Sequence, residues 1–240
     1  MTAQPKEIAT KPAADVKSVA DKPTSNGASG SVHRTELRVY LPIDGLQSQF
    51  AAYLATPTRA RGYPPQRGDF ALIVEIAPAL AIHRVIDVAL RAAPEVDPGL
   101  LYVERQYGIL EVHSKQVEHV RRAGEAILRS IGAAPGDQLK PTVLYYDVID
   151  DIGDQHAVIQ NRNRDASMLL PGMSMLVVEM APALFAAVAA NSAERASAKL
   201  TLVDVQMIGA SGRVFIAGPP EEVRIAGEEI IAVLQSLEGR

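Results

Sequence analysis

The sequence predicts an α+β fold made of two tandem copies of one domain, and three observations carry that prediction. Short segments recur about a hundred residues apart, strand-like apolar runs alternate with stretches of helical period, and turn residues mark the boundaries. ALIVEIAPAL (71–80) returns as MLVVEMAPAL (175–184), VERQ (103–106) as VDVQ (203–206), and VRRAGEAIL (120–128) as VRIAGEEII (223–231). Their offsets are 104, 100 and 103, in the same order along the chain. RVYLPIDGL near residue 38 matches VLYYDVIDDI near residue 143 more weakly. The predicted organisation is a tail over 1–34, a first domain over 35–134 and a second over 135–240. IGAAPGDQLKP (131–141) is the connection between the copies, with the Gly, Pro and Asp of a turn.

Each copy repeats one order of elements. A strand (37–42; 142–148) leads into a short helical segment. The apolar strand ALIVEIA or MLVVEMA follows, after which Pro78 or Pro182 opens a helix, where a missing N–H costs nothing. In the first copy Ile82, Val85, Ile86, Ala89 and Leu90 keep helical spacing; in the second, LFAAVAANSAERASA is alanine-rich enough to make a thin layer against a neighbour. A hairpin comes next, LLYVER with ILEVH or LTLVDVQ with RVFIA. The last helix starts near Ser114 as N-cap in the first copy. In the second it starts near Pro219 and Pro220, with Glu221 and Glu222 favourably placed in the first turn. An antiparallel sheet flanked by helices results.

Composition narrows the function. The 240 residues carry a net charge of −4, which argues against a nucleic-acid partner, since phosphate binding needs a clustered positive surplus. No cysteine is present, which removes disulfides, thiolate metal sites and a cysteine nucleophile. The longest apolar run, FALIVEIAPALAI, is broken by Glu75 and is too short for a membrane span, and the N-terminus lacks the apolar core of a secretory signal. Residues 1–34 hold no aromatic and only four branched apolar residues, so the tail is expected to be disordered.

Among chemistry-bearing residues, Asp147, Asp150, Asp151, Asp154 and His156 form an acidic run whose spacing matches no calcium loop, so capping and turn roles are expected and no metal site is predicted. His83, His113 and His119 belong to no triad or zinc pattern, and surface or interface roles are expected for them. NRNRD (161–165) fits either an interface or a satisfied loop. No convergent nucleophile, base or metal set points to an enzyme, and no cofactor is predicted. Gly209-Ala210-Ser211-Gly212 reads as a turn, because it does not open a helix after a strand as a nucleotide loop does.

One region is more specific. AKLTLVDVQMIGASGRVFIAGPPEEVRIAGEEI resembles the shell-protein domain of bacterial microcompartments, with Ile208, Gly209, Ala210, Ser211 and Gly212 where that family places the loop around a central pore. The strand preceding each repeat's common part is similar to the circularly permuted version of the domain. With two such domains, an N-terminal extension and VERQYG, the chain resembles the tandem-domain trimeric shell proteins, most of all those of alpha-type carboxysomes.

The resemblance implies a homotrimer shaped as a pseudohexamer, trimers that stack in pairs, and neighbouring shell proteins as partners. It further implies a cytoplasmic compartment shell as location and a large pore gated by an adjacent Glu-Arg pair, here Glu104 and Arg105, beside Gln106, Tyr107 and Gly108. Phosphorylated metabolites such as ribulose bisphosphate and phosphoglycerate are the implied traffic. Three residues fewer between VERQ and the last helix predict a shorter hairpin tip in the first copy, hence a wider hole. Alternation along a strand predicts that Glu104 and Arg105 face opposite sides. A soluble sensor or an enzyme built from a duplicated α+β domain is the alternative that the residues alone leave open.

Overall fold

The computed structural model describes residues 34–56, 62–164 and 166–240; apart from Arg34, the predicted tail lies outside these residues. The first half runs β1 (Glu36–Ile43), α1 (Ser48–Leu54), β2 (Phe70–Ala77), α2 (Ile82–Ala92), β3 (Asp97–Val103), β4 (Gly108–Ser114) and α3 (Val117–Ile131). The second repeats it as β5 (Thr142–Ile149), α4 (Asp154–Asn163), β6 (Ser174–Ala181), α5 (Ala186–Ala196), β7 (Thr201–Gln206), β8 (Gly212–Gly218) and α6 (Pro220–Ser236). Two four-stranded antiparallel sheets result, ordered β1-β2-β4-β3 and β5-β6-β8-β7.

Local chemistry explains the boundaries. Pro78 and Pro182 each precede a short 3₁₀ turn (Ala79–Ala81 and Ala183–Phe185) that leads into α2 or α5. Helix α3 ends at Gly132, whose φ of 66° provides the left-handed C-cap that a residue with a side chain rarely adopts. Helix α6 begins with Pro220 at its first position and carries Glu221 and Glu222 in its first turn, as expected. The expected Ser114 cap is corrected: Ser114 closes β4, Gln116 occupies the N-cap, and the Ser114 hydroxyl accepts the Gln116 N–H at 3.3 Å.

In the first half, α2 and α3 cover one face of the sheet, with Leu72, Val74 and Ile76 beneath Val85, Ala89, Ala123 and Ile127. The other face, with β1 and α1, does not go to solvent. Val39, Leu41, Ile43, Phe50, Ile73 and Ile109 share one buried cluster with Leu176, Val178, Phe185 and the alanines of α5. Helix α5 is therefore enclosed on both sides, which accounts for its alanines: a helix apolar all round is a buried helix, and small side chains let both neighbours approach.

Polar bonds fasten this joint. The Asn191 carboxamide oxygen accepts the Gln47 N–H at 2.8 Å, and the Glu194 carboxylate accepts the N–H groups of Gln49 and Phe50 at 2.8 and 2.9 Å, satisfying the open amides at the start of α1. Gln49 donates to the Leu200 carbonyl and accepts from the Leu202 N–H, both at 2.8 Å, and Arg195 donates to the carbonyls of Asp44 and Gly45.

Phe50→Ala removes one of the two buried phenylalanines of this joint, and the variant is expected to lose about 3–5 kcal/mol of stability, measured by urea unfolding.

Candidate functional site

The tips of the β3–β4 and β7–β8 hairpins occupy equivalent ends of the two sheets and hold every sequence-predicted site residue. In the first tip, Glu104 to Tyr107 form a four-residue turn in which the Glu104 N–H donates to the Tyr107 carbonyl at 2.8 Å. Strand β3 ends at Val103, so Glu104 and Arg105 lie in the turn and not along a strand. The expected strand alternation thus does not govern them. Glu104 is half-buried, whereas Arg105 and Gln106 are exposed. Among the described residues, neither Glu104 nor Arg105 has an ion-pair partner in its own chain. Arg105, Gln106 and Tyr107 border an open recess of about 430 Å³ that Arg34 and Glu36 also line.

The second tip connects β7 to β8 through Met207, Ile208, Gly209, Ala210 and Ser211; Gly209, at φ 127°, holds a conformation open mainly to glycine. Sheet pairing corrects the predicted difference in tip length. Gly108 pairs with Ile76 and Val103, and Gly212 occupies the same place opposite Met180, both 104 residues on from their counterparts. Tyr102 pairs with Ile109 as Gln206 pairs with Arg213, again 104 apart. Glu104, Arg105, Gln106 and Tyr107 therefore correspond to Ile208, Gly209, Ala210 and Ser211, and the two tips are equally long. The VERQ–VDVQ match at offset 100 is a false register. The physical difference between the tips is charge and bulk, not length.

Each tip is tied to a glutamate that the sequence reading passed over. Glu75, 1% exposed, accepts from Arg38 Nε at 2.8 Å, and the Arg38 guanidinium lies 3.7 Å from the centre of the Tyr107 ring. Burial pushes the Glu75 carboxyl up, and the bond and charge of Arg38 act against that shift. In the second half the equivalent Glu179 accepts from the Ser211 hydroxyl and from Arg213 at 3.1 Å, and these two bonds hold its carboxyl below the usual range. Arg213 also donates to Gln206 at 3.1 Å. The available signal was a glutamate kept inside both copies of an apolar strand, VEIAP and VEMAP, since a charge there needs a partner. Gly108 and Gly212 fit because a Cβ would lie 2.4 Å from the Ala79 carbonyl oxygen or 2.0 Å from that of Ala183.

The remaining predicted groups do other work. Asp150 accepts from the Ser174 hydroxyl and from Arg224, both at 2.6 Å, and Asp147 accepts from the Tyr145 hydroxyl at 3.1 Å. Asn161 bonds the Leu169 N–H and carbonyl at 2.8 and 2.7 Å and accepts from Arg164 at 3.2 Å; Asn161, Arg162 and Asn163 form the last turn of α4 and not a loop. His83 lies exposed on α2, and His119 Nδ1 is 3.1 Å from the Ser114 hydroxyl.

His113 departs from the surface role expected of it. It is buried on β4 beside Glu111 at 3.1 Å, on a face turned inward. Burial pushes the His113 imidazolium down, but the Glu111 hydrogen bond and the charges of Glu111, Asp69 and Asp97 outweigh this and raise it overall. Among the described residues, no three His, Cys, Asp or Glu side chains converge as a metal-holding group.

Comparison with known proteins gives a consistent picture. Residues 37–137 match the family model described as the CsoS1D N-terminal domain. The chain is 40% identical over 205 residues to the carboxysome shell protein CcmP of Synechococcus elongatus, covering 85% of this chain and 94% of that one. It is 38% identical over 219 residues to the carboxysome shell protein CsoS1D of Prochlorococcus marinus, covering 91% and 84%. Among solved structures, the double-ringed trimeric shell protein MSM0271 from the RMM microcompartment is 63% identical with a TM-score of 0.83, covering 86% of this chain and 99% of that one. The fused permuted hexameric shell protein MSM0275 from the same compartment is 42% identical with a TM-score of 0.81, over 85% and 99%.

Arg38→Met leaves Glu75 buried without its guanidinium and is expected to cost about 3–5 kcal/mol, with the double variant Arg38→Met/Glu75→Met recovering most of it in urea unfolding. The pH dependence has a definite sign. Because the folded state raises the His113 pKa, the stability it contributes is complete below the unfolded value of 6.5 and is lost as pH rises through the raised value. Urea midpoints measured from pH 6 upward should fall across that window, and His113→Gln should flatten the fall.

Proposed function

The chain belongs to the CsoS1D and CcmP family of microcompartment shell proteins, and from that premise we propose that it is a structural tile whose hairpin tips ring a gated central pore. Three chains supply six sheets and six tips, arranged as a pseudohexamer within a compartment shell in the cytoplasm. The observation carrying this reading is the alternation of tips: Glu104 and Arg105 in one half stand where Ile208 and Gly209 stand in the other. Around a threefold axis, charged and neutral tips then alternate.

The gate follows from the turn. The side chains of Glu104 and Arg105 carry no part of the fold's own bonding among the described residues, so a rearrangement of the four-residue turn, at the cost of the Glu104 N–H bond to the Tyr107 carbonyl, changes which side chain lines the opening without disturbing the sheet. Arginines turned inward close the hole by bonding glutamates of neighbouring chains, at about 0.2–1 kcal/mol per exposed pair, a strength easily exchanged. Turned toward the lumen, their forked donors suit phosphate groups, which supports transit of phosphorylated metabolites such as ribulose bisphosphate and phosphoglycerate if the shell is that of a carboxysome. The 63% identity with MSM0271 favours a second reading of the compartment, a shell of the RMM kind built from the same tile. Double rings, named for that protein, fit pairs of stacked tiles with other shell proteins at their edges.

Electron microscopy of the purified chain should show pseudohexagonal trimers with a central opening, and isolated monomers or dimers would return the sensor reading. In the double variant Glu104→Ala/Arg105→Ala the trimer should persist with its opening clear in every particle class. A still-occluded opening would remove the gate.

A further inference from the structure

The two halves differ in their interior, where the first keeps a polar cluster in a place that the second fills with hydrocarbon. Sheet register fixes the correspondence. Glu111 and His113 of β4 pair with Ile73 and Ala71, as Phe215 and Ala217 of β8 pair with Val177 and Met175. The loops that precede β2 and β6 also match. Leu46 exchanges main-chain bonds with Gly68 and Asp69 as Ile152 does with Gly172 and Met173, and the Tyr63 N–H donates to Pro98 as that of Ser167 does to Leu202. Asp69 thus stands where Met173 does, and Gly99, at the irregularity of β3, where Val203 does. In the second half Met173, Val203, Phe215 and Ala217 belong to one apolar cluster. In the first, Glu111, His113 and Asp69 are 1%, 4% and 3% exposed.

A buried carboxylate is costly unless something compensates it, and the first half makes room for the compensation. Glu111 lies 3.1 Å from His113 Nδ1 and accepts the Gly99 N–H. Gly99 has to lack a Cβ, which would sit 2.0 Å from Glu111 Oε2 and 3.0 Å from the Tyr63 carbonyl oxygen. The loop 62–69 therefore rests on the residue that holds Glu111. It is seated by the Tyr63 bond to the Pro98 carbonyl at 2.8 Å and by the Asp69 carboxylate, which accepts the Gln66 N–H at 2.7 Å. Lys115 donates to Gln66 at 3.1 Å and lies 2.6 Å from Asp69.

We propose that Glu111 and His113 form a proton-operated latch for this loop: while the pair holds one proton residues 62–69 stay seated, and loss of that proton lifts them. Charge count is the reason. With one proton between them the two side chains are neutral as a unit, whichever carries it. Without it a net negative charge remains beneath the loop, out of water and facing the loop's own Asp69. The other charged groups around the pair do not offset it, since Asp97 of β3 is also negative and Lys115 is engaged by Asp69. Opposite the pair β2 presents Ile73 and Ala71, and α1 carries no charged residue. Water is the remaining source of compensation, and it enters when the loop lifts. The exposed surface at Tyr63 and Arg67 then changes with pH, within one chain and independently of the ring.

Burial pushes the His113 imidazolium down, but Glu111, Asp69 and Asp97 outweigh this and raise its pKa above 6.5. Burial pushes the Glu111 carboxyl up as well, so the pair keeps its last proton beyond that point. The seated form is therefore complete below 6.5 and is lost as pH rises through the raised value. Within that window the opening constant should grow by about tenfold per pH unit, levelling off above it.

Amide hydrogen exchange on the full chain tests this against an internal reference, because 166–173 is the same loop without the latch. Exchange is followed by mass spectrometry from pH 6 to 9 and divided by the intrinsic rate at each pH. Protection in 62–69 should fall by about tenfold per unit across the window while that in 166–173 holds. In Glu111→Gln, which cannot carry the charge, 62–69 should stay protected throughout, and Glu111→Leu/His113→Ala should behave likewise. A flat profile in 62–69, equal changes in both loops, or an undiminished fall in Glu111→Gln would each overturn the latch. Should either variant fail to fold, the comparison of the two native loops still decides.

Discussion

The burial of α5 on both sides is the constraint from which the rest of the architecture follows. A helix lying on its own sheet normally leaves its outer face to water, and α2 does so in the first half. Helix α5 instead carries β1 and α1 of the first half against its outer alanines, and Asn191, Glu194 and Arg195 fix them there through main-chain bonds. Main-chain partners fix position more narrowly than an apolar contact can, because a shift of one residue leaves buried amides unpaired. The relative placement of the two sheets, and with it that of the two hairpin tips, is therefore held by this joint together with the connection at 131–141, where Gln138 accepts the Tyr40 N–H at 2.8 Å and donates to the Glu238 carbonyl at 3.0 Å.

A second constraint acts at the tips. A glutamate within an apolar strand is costly unless it is paired, and both halves pair it with an arginine delivered from a different strand: Arg38 from β1 in the first half, Arg213 from β8 in the second. The partner positions are exchanged between the halves, since Leu144 stands at the place of Arg38 and Ile109 at that of Arg213. Each solution anchors the base of a tip, through Tyr107 or through Ser211. The outermost residues are thereby released from structural duty. The side chains of Glu104 and Arg105 are left without bonds of their own among the described residues, because Glu75 and Arg38 do the holding.

The amino-acid pattern made the repeat, the strand and helix order and the two tips legible, because periodicity and turn chemistry are local properties. It failed where pairing decides. VERQ and VDVQ look alike as strings, but the residues opposite them, Ile109 and Gly108 against Arg213 and Gly212, place them four positions out of step. A short polar-apolar string recurs easily along two amphipathic strands, whereas the register is set by both faces of the sheet at once. His113 was misplaced for the same reason: beside the nearby helix start it reads as surface, yet on β4 it alternates inward with Glu111. Glu75 and Glu179 were visible only as interruptions of an apolar run, although their recurrence at one offset was the signal.

Duplication with fusion explains why the charged pair occurs once per chain. In a ring of six identical chains every tip would carry the same residues, and six guanidinium groups crowding one axis repel each other with little room for carboxylates between them. A tandem chain lowers the required symmetry from sixfold to threefold, so neighbouring tips are free to differ. In the proposed ring, Ile208 and Gly209 would contribute neutral walls between the charged tips, and each arginine could approach a glutamate without meeting a like charge on both sides. The same freedom shows in the joints. The internal one keeps Glu194 and the Leu202 amide, while the counterpart surface carries Leu90 and Pro98. Fusion makes the internal joint effectively intramolecular and so always formed, whereas in the proposed ring the contact between chains would depend on concentration. The proposed ring would then alternate seams within a chain with seams between chains, and its tips would alternate in step with them.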